Sequence, residues 1–325
     1  MISYSIAIRT IGTAGDKFRR ELESINRQTL QPDKVLVYIA EGGKLPDFKI
    51  GKEEYVWVKK GMVAQRALCY KDIDSDVLFF LDDDVELAPD SAKKMLDMME
   101  YHSADAVGAD VFQNHKMSLR NKGKAMITNL VIPHWNKEWA FKVKKSGSFS
   151  YLLEANNDFY WSQCCGGPAW MIKKKVYNAL SMSDEKWLDK LGFAYGDDQL
   201  ETYKIFKNGY KLGVIFNSGI INLDGGTSSE IYKNDKKRIY IRTKASFAIW
   251  WRSIFKTVSG IEKSKCVLSF GIKSLWLLLF FSFLSLIKFS PSFLTLYIRG
   301  LFDGYTMVHS SEFKKIPSYS IMRSK

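Results

Sequence analysis

The chain has 325 residues, of which 46% are hydrophobic and 14% aromatic, so a chain too polar to bury a core is excluded. Its length is long for one domain and suggests a main α/β domain with an appendage. The net charge of +13 belongs to the C-terminal part, because 17 Lys and Arg accompany 4 Asp and Glu from Ile231 onward. These basic residues adjoin a strongly apolar segment, which favours an anionic membrane surface over nucleic acid as a partner.

The four cysteines, Cys69, Cys164, Cys165 and Cys266, show no metal-ligand spacing. The vicinal pair among them is poorly suited to a disulfide. The chain opens on a strand and not on a signal segment, so we expect a reducing, cytosolic environment.

Strands and helices are predicted to alternate in the N-terminal third. A strand at Tyr4–Ile8 precedes a helix from about Gly15 to Gln28, whose apolar residues recur at spacings of four and three. Further strands are predicted at Val35–Ile39 and Tyr55–Val58. A strand, a helix and a strand joined by tight loops indicate a right-handed parallel crossover, which begins a doubly wound sheet.

Polar residues follow the first two predicted strands. Arg9 and Thr10 end the first strand, and Glu41 lies in the loop after the second. Because these strand ends are neighbours, the three residues are candidates for contacts with a nucleotide base or ribose. Turn formation and capping are the alternative for each residue.

An acidic triplet ends the most apolar strand of the chain. Val77–Leu81 contains no polar residue, as is typical of a buried strand in a parallel sheet, and Asp82, Asp83 and Asp84 follow. Ligands of such sheets bind beyond the carboxyl ends of the strands. A divalent cation would neutralise adjacent carboxylates and would accompany a phosphate-bearing substrate. The alternative is a solvated corner that caps the helix predicted at Asp90–Tyr101.

Two further segments carry candidate ligand contacts. A helix predicted at Gly61–Cys69 contains Arg66, whose planar guanidinium matches the oxygens of a diphosphate, unless it is an ordinary surface arginine. Gly166 and Gly167 precede a helix predicted at Lys173–Leu180. Two glycines allow the main chain to approach a ligand closely, although they also suit a bulge or a turn.

A second acidic site opens a helix. Asp197 and Asp198 follow Gly196, and the predicted helix ends at Asn208-Gly209. Carboxylates at a helix start usually cap free N–H groups, so a structural role is the alternative to a catalytic one.

In order and spacing, these motifs resemble those of the family 2 glycosyltransferases with the GT-A fold. The matching motifs are Asp82-Asp83-Asp84 after an apolar strand, Gly166-Gly167-Pro168, and Gly196-Asp197-Asp198 before a helix that ends near Gly209. The resemblance covers about residues 3–225. It implies a GT-A-like, doubly wound, mixed and mostly parallel sheet.

The resemblance also implies roles for individual residues. Asp82 and Asp84 would hold Mg²⁺ or Mn²⁺ and the ribose of a nucleotide diphosphate sugar. Asp198 would act as the general base that deprotonates the acceptor hydroxyl, with Asp197 as the alternative base. The donor would also contact the remaining candidates, which are Arg9, Thr10, Glu41, Arg66, Asp83, Gly166 and Gly167.

Three departures from the family pattern are visible. Glu41 stands alone where paired acids are usual, and Leu200 stands where many members carry a further acid. A late metal ligand, often a histidine, is missing in recognisable form, and Asp224 is a weak substitute.

The C-terminal residues 229–325 are predicted to form a basic, apolar, helical membrane-associating region. Tyr232–Lys256 is typical of a basic amphipathic helix, and Val267–Ile287 and Phe293–Val308 are apolar segments separated by Pro291. Twenty-one residues could just span a bilayer. Helices lying in one leaflet, a single span and a soluble oligomer interface are the three alternatives.

Together these features predict a catalytic domain at 1–228, with a nucleotide-sugar half at about 1–110 and an acceptor half at about 111–228. The expected function is metal-dependent, inverting sugar transfer to a glycan or lipid-linked acceptor in surface polysaccharide synthesis, at the cytoplasmic face of the cell membrane. The alternatives are a nucleotidyltransferase of similar layout and a non-catalytic basic scaffold that binds membrane or nucleic acid.

Overall fold

The computed structural model describes residues 2–71, 73–111, 118–120, 123, 131–133, 138–152, 155–223 and 235–320. The strands are β1 (Tyr4–Thr10), β2 (Val35–Ala40), β3 (Glu53–Val58), β4 (Val77–Asp82), β5 (Val85–Leu87), β6 (Ala106–Ala109), β7 (Val131–Pro133), β8 (Phe141–Val143), β9 (Phe149–Tyr151), β10 (Phe159–Ser162), β11 (Ala169–Lys173), β12 (Leu212–Ile215) and β13 (Ile220–Asn222). The α-helices are α1 (Asp16–Asn26), α2 (Ser91–Tyr101), α3 (Lys174–Ala179), α4 (Asp197–Lys207), α5 (Asp235–Ser253), α6 (Gly260–Ile287), α7 (Ser292–His309) and α8 (Ser311–Lys314). A 3-10 helix covers Met182–Leu191.

The central sheet has eight strands in the order β10-β12-β6-β11-β4-β1-β2-β3. Strands β3, β2, β1 and β4 are parallel neighbours, and β6 is parallel to β12. Strand β11 is antiparallel to both β4 and β6, and β10 is antiparallel to β12. The predicted GT-A-like, doubly wound, mixed and mostly parallel sheet is therefore confirmed.

Strand register brings distant residues to one edge of this sheet. Arg9 at the end of β1 pairs with Asp82 at the end of β4, because the two strands are parallel and in step. Strand β11 runs the opposite way and begins at this edge, with Ala169 opposite Leu81. The backbone N–H of Asp82 donates to the carbonyl of Pro168 at 2.9 Å. The carboxyl ends of β1 and β4 thus meet the segment that precedes β11.

Both faces of the sheet are covered, which explains the unbroken apolar run of β4. All five residues of Val77–Leu81 are buried. Helices α1 and α2 pack on one face, where Phe18 and Met95 belong to one hydrophobic cluster with Phe79. The other face packs against the 3-10 helix and the C-terminal helices.

The prediction of a helix at Gly61–Cys69 is wrong. This segment consists of turns, with hydrogen bonds of mixed spacing. The carboxylate of Asp189, on the 3-10 helix, accepts the backbone N–H groups of Val63 and Ala64 at 3.0 and 2.9 Å. These groups are satisfied by a distant side chain, so the segment holds its shape without a regular helix.

The C-terminal helices share the core of the sheet domain. Trp250 of α5 and Tyr319 after α8 belong to one buried cluster with Phe80 of the sheet. Beside them lies a buried ion-pair group, in which Arg252 contacts both carboxylate oxygens of Glu185 at 2.5 and 2.7 Å. Lys204 contacts Glu185 at 2.8 Å. Helix α5 is thereby tied to the 3-10 helix and to α4.

The Arg252–Glu185 pair tests how firmly α5 is attached. We expect Arg252→Met to lower the free energy of unfolding by about 3 kcal/mol, because one partner of a buried charge pair is removed. Urea unfolding checks this value. Lys190→Met is the matched control, since its pair with Glu312 is exposed, and it should leave the free energy of unfolding nearly unchanged. Equal small losses in both variants would contradict the anchoring role.

Candidate active site

Arg9 joins the two acidic motifs of the sequence. Its Nε lies 2.5 Å from Asp82 Oδ1 and its Nη1 lies 2.6 Å from Asp197 Oδ2. Nη1 also donates to the carbonyl of Met62 at 2.9 Å. The end of β4 and the start of α4 are separated by more than a hundred residues in the chain, and one guanidinium holds them together.

Arg66 makes a second bridge behind the first. Its Nη2 lies 2.7 Å from Asp82 Oδ1 and donates to the carbonyl of Gly167, and its Nη1 lies 3.5 Å from Glu201 Oε2. Arg66 is 2% exposed, which excludes an ordinary surface arginine. Burial alone would raise the pKa of Asp82, but Arg9 and Arg66 outweigh it and the pKa is lowered.

Gly167 is required by close packing. A Cβ there would lie 2.9 Å from the Asp198 Cβ and 3.3 Å from Arg66 Nη1. Gly166 precedes it at the same edge and is partly buried. Any larger residue at 167 would push apart the strand edge and the start of α4. The glycine therefore allows these two segments of the chain to pack closely.

Asp198 lies at the start of α4 and is partly buried. Its Oδ1 accepts the backbone N–H of Gln199 at 2.8 Å, and its carbonyl accepts the hydroxyl of Thr202 at 2.6 Å. Burial, followed by the charge of Asp197, raises the pKa of Asp198 to about 6. A carboxyl with this pKa is ionised at neutral pH and is still basic enough to take a proton.

Thr10 orients the middle acid of the triplet. Its hydroxyl donates to Asp83 Oδ2 and accepts the backbone N–H of Gly12 at 2.8 Å. Burial raises the pKa of Asp83 to about 7, although the Thr10 hydrogen bond opposes this shift. The backbone carbonyl of Thr10 accepts from Gln65 Nε2 at 2.9 Å. Thr10 and Asp83 are thus joined by a partly buried hydrogen bond.

Asp84 lies at the rim of the site. Its Oδ1 accepts from Asn222 Nδ2 at 3.0 Å, and its carbonyl accepts the backbone N–H of Leu223 at 2.7 Å. Asp224 lies outside the described residues. Within the described ranges, no group of three or more His, Cys, Asp and Glu side chains could hold a metal ion. Mg²⁺ commonly needs only one or two carboxylates, with substrate phosphates and water as its other ligands, so the acidic triplet fits that kind of site.

Glu41 lies apart from the acidic residues. It is exposed in the loop after β2, and its backbone N–H donates to the carbonyl of Val58 at 2.8 Å. The hydrogen bonds of the described residues do not connect its side chain to Arg9 or Asp82.

Sequence reasoning missed two buried acids near the site. Burial raises the pKa of Glu201 to about 8, although Arg66 opposes the shift. Burial, followed by the charge of Asp83, raises the pKa of Glu21 well above its usual range. Each glutamate lies beside a buried leucine on its helix, Leu200 or Leu22. An acid on the apolar face of an amphipathic helix was the signal that could have found them.

Side chains from both acidic motifs line one cavity of about 260 Å³. Its walls include Arg9, Asp82, Gly167 and both acids of α4. The C-terminal helices also line it, through Arg242, Ser246 and Lys273. Sequence patterns did not predict these three residues to be part of the site, because they lie in a region interpreted as a membrane-associating appendage.

Comparison with known proteins places part of the chain beside one enzyme family. Residues 55–181 match the model of the family described as glycosyl transferase family 2. This stretch includes the acidic triplet and Gly167, and it ends before Asp197. No curated protein matches the chain.

Two solved structures are similar to the chain. A crystal structure of residues 1–349 of TarS from S. aureus is 12% identical, with a TM-score of 0.53, and the match covers 95% of this chain and 81% of that one. A structure of GalNAc-T7 with UDP, GalNAc and Mn²⁺ is 13% identical, with a TM-score of 0.43, and the match covers 76% and 51% of the two chains. The first likeness shows the fold, and the second is too weak to carry an argument.

The fold and the family match over residues 55–181 support a glycosyltransferase with a GT-A-like fold, similar to family 2, as the motifs predict. They favour an enzyme over a non-catalytic scaffold.

Proposed function

We propose that this enzyme transfers a sugar from a nucleotide diphosphate sugar to an acceptor hydroxyl with inversion at the anomeric carbon. The observation that carries this proposal is the convergence of Asp82 and Asp198 on one cavity. The acidic edge of the sheet suits a donor diphosphate that arrives with a divalent cation, and the start of α4 suits an acceptor. The same arrangement supports a donor site made by Arg9, Thr10, Asp83 and the Gly167 segment.

Asp198 is the proposed general base, and its neighbour is the less suitable of the two. Asp197 is held in an ion pair with Arg9 at 2.6 Å, which occupies the lone pairs that would accept a proton. Asp198 has no such partner among the described residues, and its pKa is raised to about 6. Asp197 is proposed to orient Arg9.

The proposed reaction is a single displacement. The acceptor hydroxyl loses its proton to Asp198 as its oxygen bonds to the anomeric carbon. The bond between that carbon and the diphosphate oxygen breaks, and the nucleoside diphosphate leaves with the electron pair. Arg9 and Arg66 keep Asp82 ionised at the donor edge, and the Gly167 segment holds that edge against α4.

Asp84 and Asp82 are the proposed ligands of Mg²⁺ or Mn²⁺. Asp84 is the better placed of the two, because Arg9 and Arg66 already contact the carboxylate of Asp82. A bound divalent cation would offset the charge that develops on the leaving diphosphate.

A membrane surface is the proposed location, with a glycan or lipid-linked acceptor in surface polysaccharide synthesis. Among the described residues, α6 alone is long and apolar enough to cross a bilayer. One side of α6 is an exposed apolar stripe, which consists of Leu268, Ile272, Leu275, Leu279, Phe283 and Leu286. The opposite side packs on the domain, where Cys266 is buried and Phe270 stacks on Trp250. Two different faces favour a helix lying in the cytoplasmic leaflet over a single span.

Replacing the base should separate chemistry from binding. We expect Asp198→Asn to lower kcat by about 10²- to 10⁴-fold with an unchanged donor Kd, because the amide cannot take the proton. Release of nucleoside diphosphate gives kcat, and calorimetry gives the Kd. In the wild type, activity should fall below a pH of about 6, because Asp198 becomes protonated there. A collapse of donor affinity in Asp198→Asn would instead make this residue a binding or structural group.

Removing Asp84 should remove the metal response. We expect Asp84→Ala to lose activation by Mn²⁺ and more than about 10²-fold in turnover, because an electrostatic contribution to the transition state is lost. Titration of Mn²⁺ against nucleotide release measures both. Asp90→Ala is the control, since Asp90 is exposed at the start of α2. Wild-type metal activation in Asp84→Ala would remove the assignment.

The apolar stripe of α6 gives a direct test of membrane association. We expect the triple variant Leu275→Ser, Leu279→Ser, Phe283→Ser to bind vesicles containing anionic lipid at least tenfold more weakly, because buried apolar area drives insertion. Vesicle sedimentation measures binding, and Trp57→Ser with Tyr101→Ser is the control, since both residues are exposed elsewhere. Unchanged sedimentation would contradict the stripe as the contact. Wild-type protein that resists alkaline extraction would indicate a span.

A further inference from the structure

Two cations from the C-terminal helices line the cavity that contains the proposed base. Arg242 belongs to α5 and Lys273 to α6, and both share the cavity of about 260 Å³ with Asp198. The distribution of charge along the sequence places these basic residues in the membrane-associating region. The fold instead turns these two toward the chemistry.

Neither cation has an acidic partner among the described residues. Lys273 Nζ donates to the carbonyl of Ser146 at 3.3 Å, and the Arg242 guanidinium lies 5.4 Å from the centre of the Tyr195 ring. Burial, and then the charge of Arg242, lowers the pKa of Lys273. The two positive charges repel each other across a partly desolvated space, so an anion bound between them would offset a cost already present in the fold.

A tight turn fixes the position of these groups. Lys144–Ser148 closes through a backbone hydrogen bond of 2.7 Å, and its carbonyl groups face three different helices. Ser146 accepts from Lys273, Gly147 accepts from Gln199 Nε2 at 3.3 Å, and Lys145 accepts from Trp250 Nε1 at 2.9 Å. Helices α4, α5 and α6 are therefore held in register around the cavity before any ligand binds.

The position of the cations favours the acceptor over the donor. Both acids of α4 line this cavity, whereas only Asp82 of the acidic triplet does and Asp83 and Asp84 do not. If the donor diphosphate lies at the acidic triplet, as the proposed function requires, a group held by Arg242 and Lys273 lies on the side where the nucleophile is activated. An arginine fork and a lysine ammonium together suit the oxygens of a phosphate.

We propose that Arg242 and Lys273 form a subsite for a phosphate group carried by the acceptor. This inference rests on the proposed glycosyl transfer. With this subsite, the C-terminal helices select the acceptor as well as contacting the membrane. The phosphate belongs either to a glycan unit or to the link between a sugar and its lipid, and these two sources share the same recognition chemistry.

Direct binding tests the subsite without catalysis. Thermal unfolding of the full chain is followed with inorganic phosphate at increasing concentration. We expect phosphate to raise the Tm of the wild type and of Lys244→Gln, a control that loses one charge of α5 outside the cavity lining. Arg242→Gln and Lys273→Gln should lose the shift, and Lys273→Arg should retain it. No shift in the wild type, or an equal shift in all variants, would overturn the subsite.

Acceptor kinetics then assign the subsite to one substrate. Sugars with and without a phosphate ester are compared at saturating donor. We expect kcat/KM to favour the phosphorylated member at least tenfold in the wild type and in Lys244→Gln, and equality of the two members in Arg242→Gln and Lys273→Gln. A raised donor KM with an intact preference would assign the pair to the donor diphosphate and overturn the proposal. An absence of donor cleavage altogether would count against the proposed function, while the Tm shift still reports the subsite.

A third arm separates the two sources of phosphate. The same sugar phosphates are supplied free and as esters of a long-chain alcohol in vesicles. A preference for the lipid ester that Arg242→Gln abolishes assigns the phosphate to a lipid link. An equal response to both forms assigns it to a glycan unit. A preference for the lipid ester that survives Arg242→Gln would come from the apolar chain and would contradict a phosphate subsite.

Discussion

The salt bridges of Arg9 are the interaction on which the site depends. One guanidinium pairs with Asp82 at the end of β4 and with Asp197 at the start of α4. Without it, Asp197 would lose its ion pair, and Asp82 would keep only its contact with Arg66. Arg9 lies near the end of β1, opposite Asp82 of the parallel strand β4. The sheet register therefore places the guanidinium beside the acids of both motifs.

The second arginine extends this charge balance into the protein. Arg66 contacts Asp82, the carbonyl of Gly167 and Glu201, so the sheet edge, the Gly167 segment and α4 share one buried cation. Burial raises the pKa of Glu201 although Arg66 opposes the shift, whereas Arg9 and Arg66 together lower the pKa of Asp82 in spite of burial. Acids that contact the same arginine therefore differ in how readily they ionise.

The sequence predicted the parts of the fold that local patterns determine. The apolar run of β4 indicated a doubly covered strand, and its residues are buried. Local patterns also singled out the acids after β4 and at the start of α4, of which Asp82, Asp197 and Asp198 line one cavity, and their roles stay predictions. The turns around Val63 were mistaken for a helix, because the carboxylate that holds them lies 126 residues away on the chain. Lys273 was not predicted to line the cavity, since its orientation becomes visible only when α6 packs on the domain.

The direction in which each residue of helix α6 points is constrained. Its exposed stripe and Lys273 lie on different sides of the same cylinder, and successive residues of an α-helix turn by about 100°. A single residue inserted between Gly260 and Lys273 would therefore rotate an apolar side chain into the cavity and swing the ammonium away. Substitutions along the outer stripe leave that angle intact. Length in this stretch is consequently fixed more strictly than composition, although no motif marks it.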